Sequence, residues 1–310
     1  MLPLIALKVL QTCTEDAYTE CIINRGLSHW TIIKINTNMA RVKGALQITG
    51  GIQGVSFYTM KGSDTIFMRT KGGPSKRRLK VGDEFKNVRL HQTEWGGCVR
   101  FSQYICRGMG KVYKLADYNV SPKLNGLGKR IMKLDTVHPL GTRSVQLSKC
   151  REVLEGFNLN RQYPFNSVYR TSLNMEIDKA HGVFTVRLPR INASNDIYNL
   201  QNLPYFRLVF CFTYLSDLEF DSEVKIGNRY KMTALQNTYW YNNMETEWIS
   251  TRDITLEQTL EANLNIELSE EDMSVLTCIG AVGIQFAAVG LGGVIEPVKN
   301  ACCGKILVSK

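Results

Sequence analysis

Apolar and polar residues alternate in short runs along the second half of the chain, beyond Asn158. Every second side chain of a β-strand points to the same face, so this alternation predicts strands that bury one face. The number and spacing of the runs are typical of an antiparallel, immunoglobulin-like β-sandwich. The predicted strands are "SVYRTS", "NMEID", "VFTVRL", "YFRLVFCFTYL", "KMTALQNTYWYN", "TEWIST", "LEANLNIEL", "VLTCIGAVGIQF" and "GKILVS".

A period of three to four residues replaces this alternation in the first half of the chain. It marks one face of a long α-helix, or of two abutting helices, with Gly96-Gly97 as the weak point. Two further helices are predicted over "KLNGLGKRIMKLD" and "LSKCREVLEGF". The positions on the face of the long helix are Phe85, Val88, Gln92, Trp95, Val99, Ser102, Ile105, Met109 and Val112.

Before the helices, the pattern predicts β-hairpins. "VSFYTM" and "TIFMRT" flank the four-residue connection "KGSD". The glycines of "GALQITGGIQG" miss the G-x-G-x-x-G spacing of a dinucleotide-binding loop, and we interpret them as tight hairpin turns. Ser75 follows the "KGGP" break and is a candidate N-cap of the first helix.

These patterns predict an α+β fold in three parts. Residues 39–156 form a basic domain of hairpin and helices, and residues 157–310 form the β-sandwich. Residues 1–38 show no sustained period, and "LPLIALKVL" lacks the basic flank and the cleavage site of a signal peptide. We therefore interpret residues 1–38 as a non-native extension before a start at Met39, in preference to a signal peptide.

The segment from Ser274 to Ile295 has no charged residue over 22 positions, the length of a membrane-spanning helix. It also contains Gln285, five glycines and many β-branched residues. Two buried strands account for such a run without lipid, so we do not expect a membrane partner.

Charge divides the chain into unequal parts. Residues 39–160 carry 22 lysines and arginines against 8 acidic residues, whereas residues 161–310 carry 13 against 17. A basic excess over a whole domain attracts polyanions or an acidic protein surface, and it also favours solubility.

Catalytic motifs are missing from the sequence. The four histidines are scattered, no serine lies in a G-x-S-x-G turn, and "GLGKR" lacks the first glycine and the Ser or Thr of a phosphate-binding loop. The nine cysteines form no C-x-x-C pair, which favours reduced thiols in the cytoplasm; assembly after export is the alternative. We predict a non-enzymatic protein without a cofactor.

Cations in the basic half are the candidate partner-binding residues. Several alternate with aromatic residues (Trp95, Phe101, Tyr104 and Tyr113), a combination that holds single-stranded nucleic acid, although aromatic residues at helical spacing also form core stripes. The candidate cations are Lys76, Arg77, Arg78, Arg100, Arg107, Lys111, Lys114, Lys129 and Arg130.

An acidic counterpart lies in "DLEFDSE", where Asp217, Glu219, Asp221 and Glu223 alternate. On a strand all four carboxylates face one side. They could receive the basic half of a second copy, bind Ca²⁺ without the helix-loop-helix spacing, or protect a solvated strand edge.

Several stretches resemble a Bacteroidetes protein family of unknown function. They are "KGALQITGGIQGVSFYTMKGSDTIFMRTKGGPSK", "ADYNVSPKLNGLGKRIMKLD", "LEGFNLNRQYPFNSV", "LPYFRLVF" and "GVIEPVKNACCGKILV", so the likeness spans residues 39 to 310. The resemblance implies a glycine-rich hairpin, a basic helical region and a C-terminal β-sandwich. It implies no catalytic residues.

Two functional hypotheses follow from the sequence. The first is a structural or interaction protein that binds a protein partner or assembles with itself through its basic and acidic faces. The alternative is a nucleic-acid-binding protein whose residues 39–160 contact phosphates without reading the base sequence.

Overall fold

The computed structural model describes residues 40–42, 50–52, 54–59, 65–70, 72–224, 227–234, 240–265 and 268–310. The chain divides into two compact units, Met1–Pro74 and Ser75–Lys310. The prediction about residues 1–38 lies outside the described residues.

The first unit contains a four-stranded antiparallel sheet in the order β1-β4-β3-β2. The predicted strand pairings are confirmed, since β3 pairs with β4 and β2 pairs with β3 across a short connection; the predicted loop "KGSD" lies outside the described residues. Gly54 closes that connection at a φ of +87°, which glycine adopts without strain. The strands are β1 (Ala40–Val42), β2 (Gly50–Ile52), β3 (Val55–Thr59) and β4 (Ile66–Thr70).

Helices open the second unit. Ser75 caps the first of them, as predicted, because its hydroxyl accepts a hydrogen bond from the backbone N–H of Arg78 at 3.2 Å. The helix predicted over "KLNGLGKRIMKLD" is also confirmed. The helices are α1 (Lys76–Val81), α2 (Lys86–Gly108), α3 (Gly110–Tyr113), α4 (Ser121–Met132), α5 (Phe165–Val168), α6 (Ala193–Asp196) and α7 (Glu270–Val275).

Helix α2 runs unbroken through Gly96-Gly97, so the predicted weak point is wrong. Gly97 packs against the ring of Tyr230, and a Cβ at this glycine would lie 2.7 Å from that ring. The predicted face is correct only in the C-terminal part of the helix. In the N-terminal part Trp95 is exposed, and Glu94 is buried instead.

Other local predictions are also wrong. The segment predicted as a third α-helix forms 3₁₀ turns at Leu147–Lys149 and Arg151–Leu154. Directly after them, the backbone of residues 156–159 is hydrogen-bonded to that of residues 304–306, which requires extended chain. "SVYRTS" is not a strand, because its first two residues, Ser167 and Val168, form the end of helix α5, which starts after Pro164.

A five-stranded antiparallel sheet forms the centre of the second unit, with the order β11-β8-β15-β16 and with β12 also paired to β8. Its strands are β8 (Tyr205–Ser216), β11 (Trp240–Glu245), β12 (Ile249–Ser250), β15 (Leu276–Val289) and β16 (Ile295–Ser309). A three-stranded sheet, β14-β6-β5, consists of β5 (Asn174–Asp178), β6 (Val183–Leu188) and β14 (Gln258–Asn263). Two short pairs are β7 (Ile191–Asn192) with β13 (Ile254–Thr255) and β9 (Leu218–Phe220) with β10 (Tyr230–Met232).

Strand β15 is buried on both faces. Cys278, Val282 and Ile284 pack in a core with residues of β6 and β8. Ile279 and Ala281 point the other way and pack among residues of α2 and α4. The central sheet therefore lies between a helical layer and the three-stranded sheet, which explains the uncharged run without a membrane span.

The helices and the central sheet share one core. Val209, Cys211 and Leu215 of β8 pack with Phe101 and Ile105 of α2. The compact units therefore divide between Pro74 and Ser75, not at the predicted boundary between residues 156 and 157. Mixed helices and antiparallel sheets agree with an α+β fold; an immunoglobulin-like sandwich is not confirmed. No helix in the described residues is long and apolar enough to cross a membrane.

Candidate functional site

A groove of about 740 Å³ lies between the end of α2, helix α3 and strand β11. Arg107, Lys111 and Lys114 line it from the helical side. Tyr241 and Asn243 line it from β11, where they are two residues apart and therefore share one face of the strand. This first groove joins three of the predicted cations to residues that lie far along the chain.

A glycine lets α3 approach β11 closely. Gly110 has a φ of +50°, and a Cβ there would lie 2.5 Å from Asn243 Oδ1. The backbone N–H of Lys111 donates to that same oxygen at 2.9 Å, and Lys111 Nζ lies 2.6 Å from Glu245 Oε1. These contacts connect both walls of the first groove.

The aromatic rings near the cations differ in accessibility. Tyr241 is 49 % exposed, and among the described residues no ring stack or cation–π contact covers its ring. Tyr113 is partly buried. Its burial and, to a smaller extent, its contact with Cys106 raise the pKa of its hydroxyl. Tyr241 is thus the open aromatic surface of the first groove.

A second groove of about 730 Å³ runs along helix α4. Lys123, Leu127 and Arg130 lie at helical spacing on one face of α4, and Arg161 contributes from the opposite wall. Tyr118 lies beside this groove with Lys123 Nζ at 4.8 Å and Arg161 Cζ at 4.2 Å from its ring centroid. These cation–π contacts fix the two cations.

Arg161 is also positioned through its backbone. Its N–H donates to both carboxylate oxygens of Asp117, at 3.0 and 2.9 Å. The acid that lines the second groove, Glu155, accepts a hydrogen bond from the backbone of Ser309 at 3.2 Å. Cations therefore outnumber acids in this lining.

One side-chain contact links the two groove linings through the interior of the helical layer. Cys106 lines the first groove, and its Sγ lies 4.0 Å from Ser121 Oγ. Pro122, the next residue, lines the second groove. Together the two linings contain six cations: Arg107, Lys111, Lys114, Lys123, Arg130 and Arg161.

Lys129, a predicted partner-binding cation, belongs to a buried ion cluster and lines neither groove. Its Nζ bonds Glu94, whose side chain is fully buried and which also accepts from Arg143 at 2.6 and 2.8 Å and from the Gly141 N–H at 3.0 Å. Burial opposes ionisation of Glu94, but the hydrogen bonds from Arg143, Gly141 and Lys129 outweigh it and lower its pKa to about 2. The cluster joins α2, α4 and the loop after α4.

The other predicted cations do not line the grooves. Arg100 donates to the Tyr104 hydroxyl at 2.8 Å. Lys76, Arg77 and Arg78 form the exposed first turn of α1, where Arg78 pairs with Glu84 at 2.7 Å.

The four predicted acids do not form one exposed face. Asp217 is buried and accepts hydrogen bonds from the hydroxyl and the N–H of Ser148, at 2.5 and 2.9 Å, while burial raises its pKa. Asp221 pairs with Lys231 at 3.1 Å. Glu219 and Glu223 remain exposed. The strand pattern fails here because β9 spans only three residues, Leu218–Phe220, between the two aspartates.

The described residues contain no group of three or more His, Cys, Asp or Glu side chains placed to hold a metal ion. Burial raises the pKa of Cys98 to about 11 and that of Cys278 to about 12, so these thiols stay protonated at neutral pH.

Sequence reasoning missed Tyr241, Lys123 and Arg161. Lys123 was visible at helical spacing before Arg130, but the other two join the site only through the fold. Comparison with protein-family models, curated proteins and solved structures finds no match to this chain.

Proposed function

We propose that this protein binds nucleic acid through the phosphate backbone, without reading base sequence. The observation that carries the proposal is that the linings of two grooves together contain six cations. Lys and Arg that contact phosphates release condensed counterions, which supplies affinity for any sequence.

The wider charge supports the same proposal. Residues 75–160 carry 17 lysines and arginines against 7 acidic residues. Two of those acids, Glu94 and Asp135, are buried, and Glu94 is paired with two of the cations, Lys129 and Arg143. A field of one sign steers a polyanion towards the grooves.

Self-assembly through basic and acidic faces ranks second. Its candidate acidic face was the row of four acids, of which Asp217 and Asp221 are engaged within the protein. Assembly therefore becomes an outcome that the binding experiment must distinguish.

Fluorescence anisotropy with labelled oligonucleotides, at several salt concentrations, tests the proposal. The groove variant combines Lys114→Glu, Lys123→Glu and Arg130→Glu. We expect it to bind at least about tenfold more weakly, with a log–log salt slope smaller by about 2 to 3 in magnitude, since each duplex phosphate contact contributes about 0.9.

The matched control combines Arg190→Glu, Arg252→Glu and Lys299→Glu, which reverse the same charge at exposed positions outside the grooves. Equal weakening in both variants, or no binding by the wild type at about 150 mM salt, contradicts the proposal. Light scattering on the same samples identifies assembly if the wild type forms oligomers that the groove variant loses.

A further inference from the structure

We propose that the first groove binds single-stranded nucleic acid and that a base stacks on Tyr241. This inference rests on the proposed nucleic-acid-binding function and specifies the strand form and the residue that selects it.

The placement of Tyr241 carries the inference. It lies opposite Thr213 in the β11–β8 ladder, and its ring is half-exposed beside Arg107, Lys111 and Lys114. Regular strand pairing to a buried central strand holds the Tyr241 backbone in place. A ring supported in this way loses little conformational freedom when a base stacks on it.

The hydrogen bond from the Lys111 N–H to Asn243 holds helix α3 against strand β11, the strand that carries Tyr241. Phosphates and a base of one strand can therefore be contacted together without moving the groove walls. Alternating cationic and aromatic contacts are how single strands are held by proteins that do not read sequence.

Other tyrosines in the basic region are engaged differently. Tyr118 is in contact with Lys123 and Arg161, and Tyr104 is buried and accepts the Arg100 hydrogen bond. Tyr241 has no such contact within the described part of the chain. It is therefore the ring with a free face beside the cations.

A duplex cannot use this ring well. Its bases are already stacked and paired inside the helix, so it presents phosphates to the cations and no base to Tyr241. A single strand presents both, because its bases can turn outwards and stack on an aromatic side chain.

The test compares a labelled 15-nucleotide oligothymidine with a 15-base-pair duplex by anisotropy at fixed salt. We expect Tyr241→Ala to weaken oligothymidine binding by about 5- to 150-fold, the range for losing one stacked base, and to leave duplex binding unchanged. Tyr241→Phe keeps the ring and should bind the oligothymidine like the wild type. Tyr198→Ala removes another half-exposed tyrosine, outside the groove, as the matched control.

The inference is overturned if Tyr241→Ala binds oligothymidine normally, or if it weakens duplex and single strand equally while the wild type binds both. Failure of the wild type to bind either probe overturns the proposed function instead. Circular dichroism of each variant checks folding. Weakened oligothymidine binding by Tyr241→Phe, which keeps the ring, would show that the hydroxyl and not stacking makes the contact, and would also overturn the inference.

Discussion

Replacing Glu94 by alanine removes one acceptor from several donors at once. The fully buried carboxylate bonds Arg143, Lys129 and the Gly141 N–H, and the alanine variant leaves these groups without it. Removing one partner of a buried ion pair costs about 3 to 5 kcal/mol. The side chains of Arg143 and Lys129 are 17 % and 21 % exposed, so water can partly replace the hydrogen bonds that they lose. We therefore expect a loss of about 3 kcal/mol in the free energy of unfolding.

The pH dependence gives a second measure of the same interaction. The pKa of Glu94 falls from 4.5 to about 2 in the folded protein, so its ionised form is stabilised by folding. A shift of that size corresponds to about 3 kcal/mol. This stabilisation is fully present above about pH 4.5 and is lost as the pH falls towards 2.

Urea unfolding followed by circular dichroism at pH 7 and pH 3 measures both effects. At pH 7 the Glu94→Ala variant should lose about 3 kcal/mol, or roughly 6 to 12 °C in melting temperature for a unit of this size. At pH 3 its difference from the wild type should be smaller. Asp135, whose pKa is also lowered to about 2, is retained in both proteins and does not affect the comparison.

Glu84→Ala is the control, because it removes an ion pair with Arg78 in which both side chains are largely exposed. It should leave the unfolding midpoint unchanged. A loss below about 1 kcal/mol for Glu94→Ala at pH 7, or a difference from the wild type that is constant down to pH 3, would refute the reasoning.

Two further predictions concern packing. Gly97→Ala should destabilise the protein by about 1 to 3 kcal/mol in thermal unfolding, because the added Cβ meets the Tyr230 ring. Gly126→Ala should stabilise it by up to about 1 kcal/mol, because Gly126 lies inside α4 with open space around its Cβ position. The opposite order would contradict the packing of α2. A fragment of residues 75–310 should unfold cooperatively. A fragment of residues 157–310 should not, because removing α2 and α4 exposes the sheet face that they cover. A sharp calorimetric transition in the shorter fragment would show that the sheet is stable without the helices.

Strand identity could be read from the sequence because alternation is a local property. "NMEID", "VFTVRL" and "YFRLVFCFTYL" become β5, β6 and β8 at nearly the predicted bounds. The same holds for the existence of helices α2 and α4, whose periods extend over several turns.

Which face of a helix is buried could not be read from the local sequence pattern. In α2, Glu94 points inwards and Trp95 outwards, against their polarity, because Lys129 and Arg143 come from segments 35 and 49 residues away. A buried carboxylate is stable only with such partners, and a sequence pattern does not reveal which distant cations supply them.

The sequence by itself determined that the first half of the chain is basic and that several of its cations lie near aromatic residues. Tertiary structure decided which of them share a surface. Lys114 and Tyr241 line one groove because β11 pairs with β8 and α3 packs against that sheet through Gly110, and because the folded backbone, not the order of residues, sets the distance between side chains.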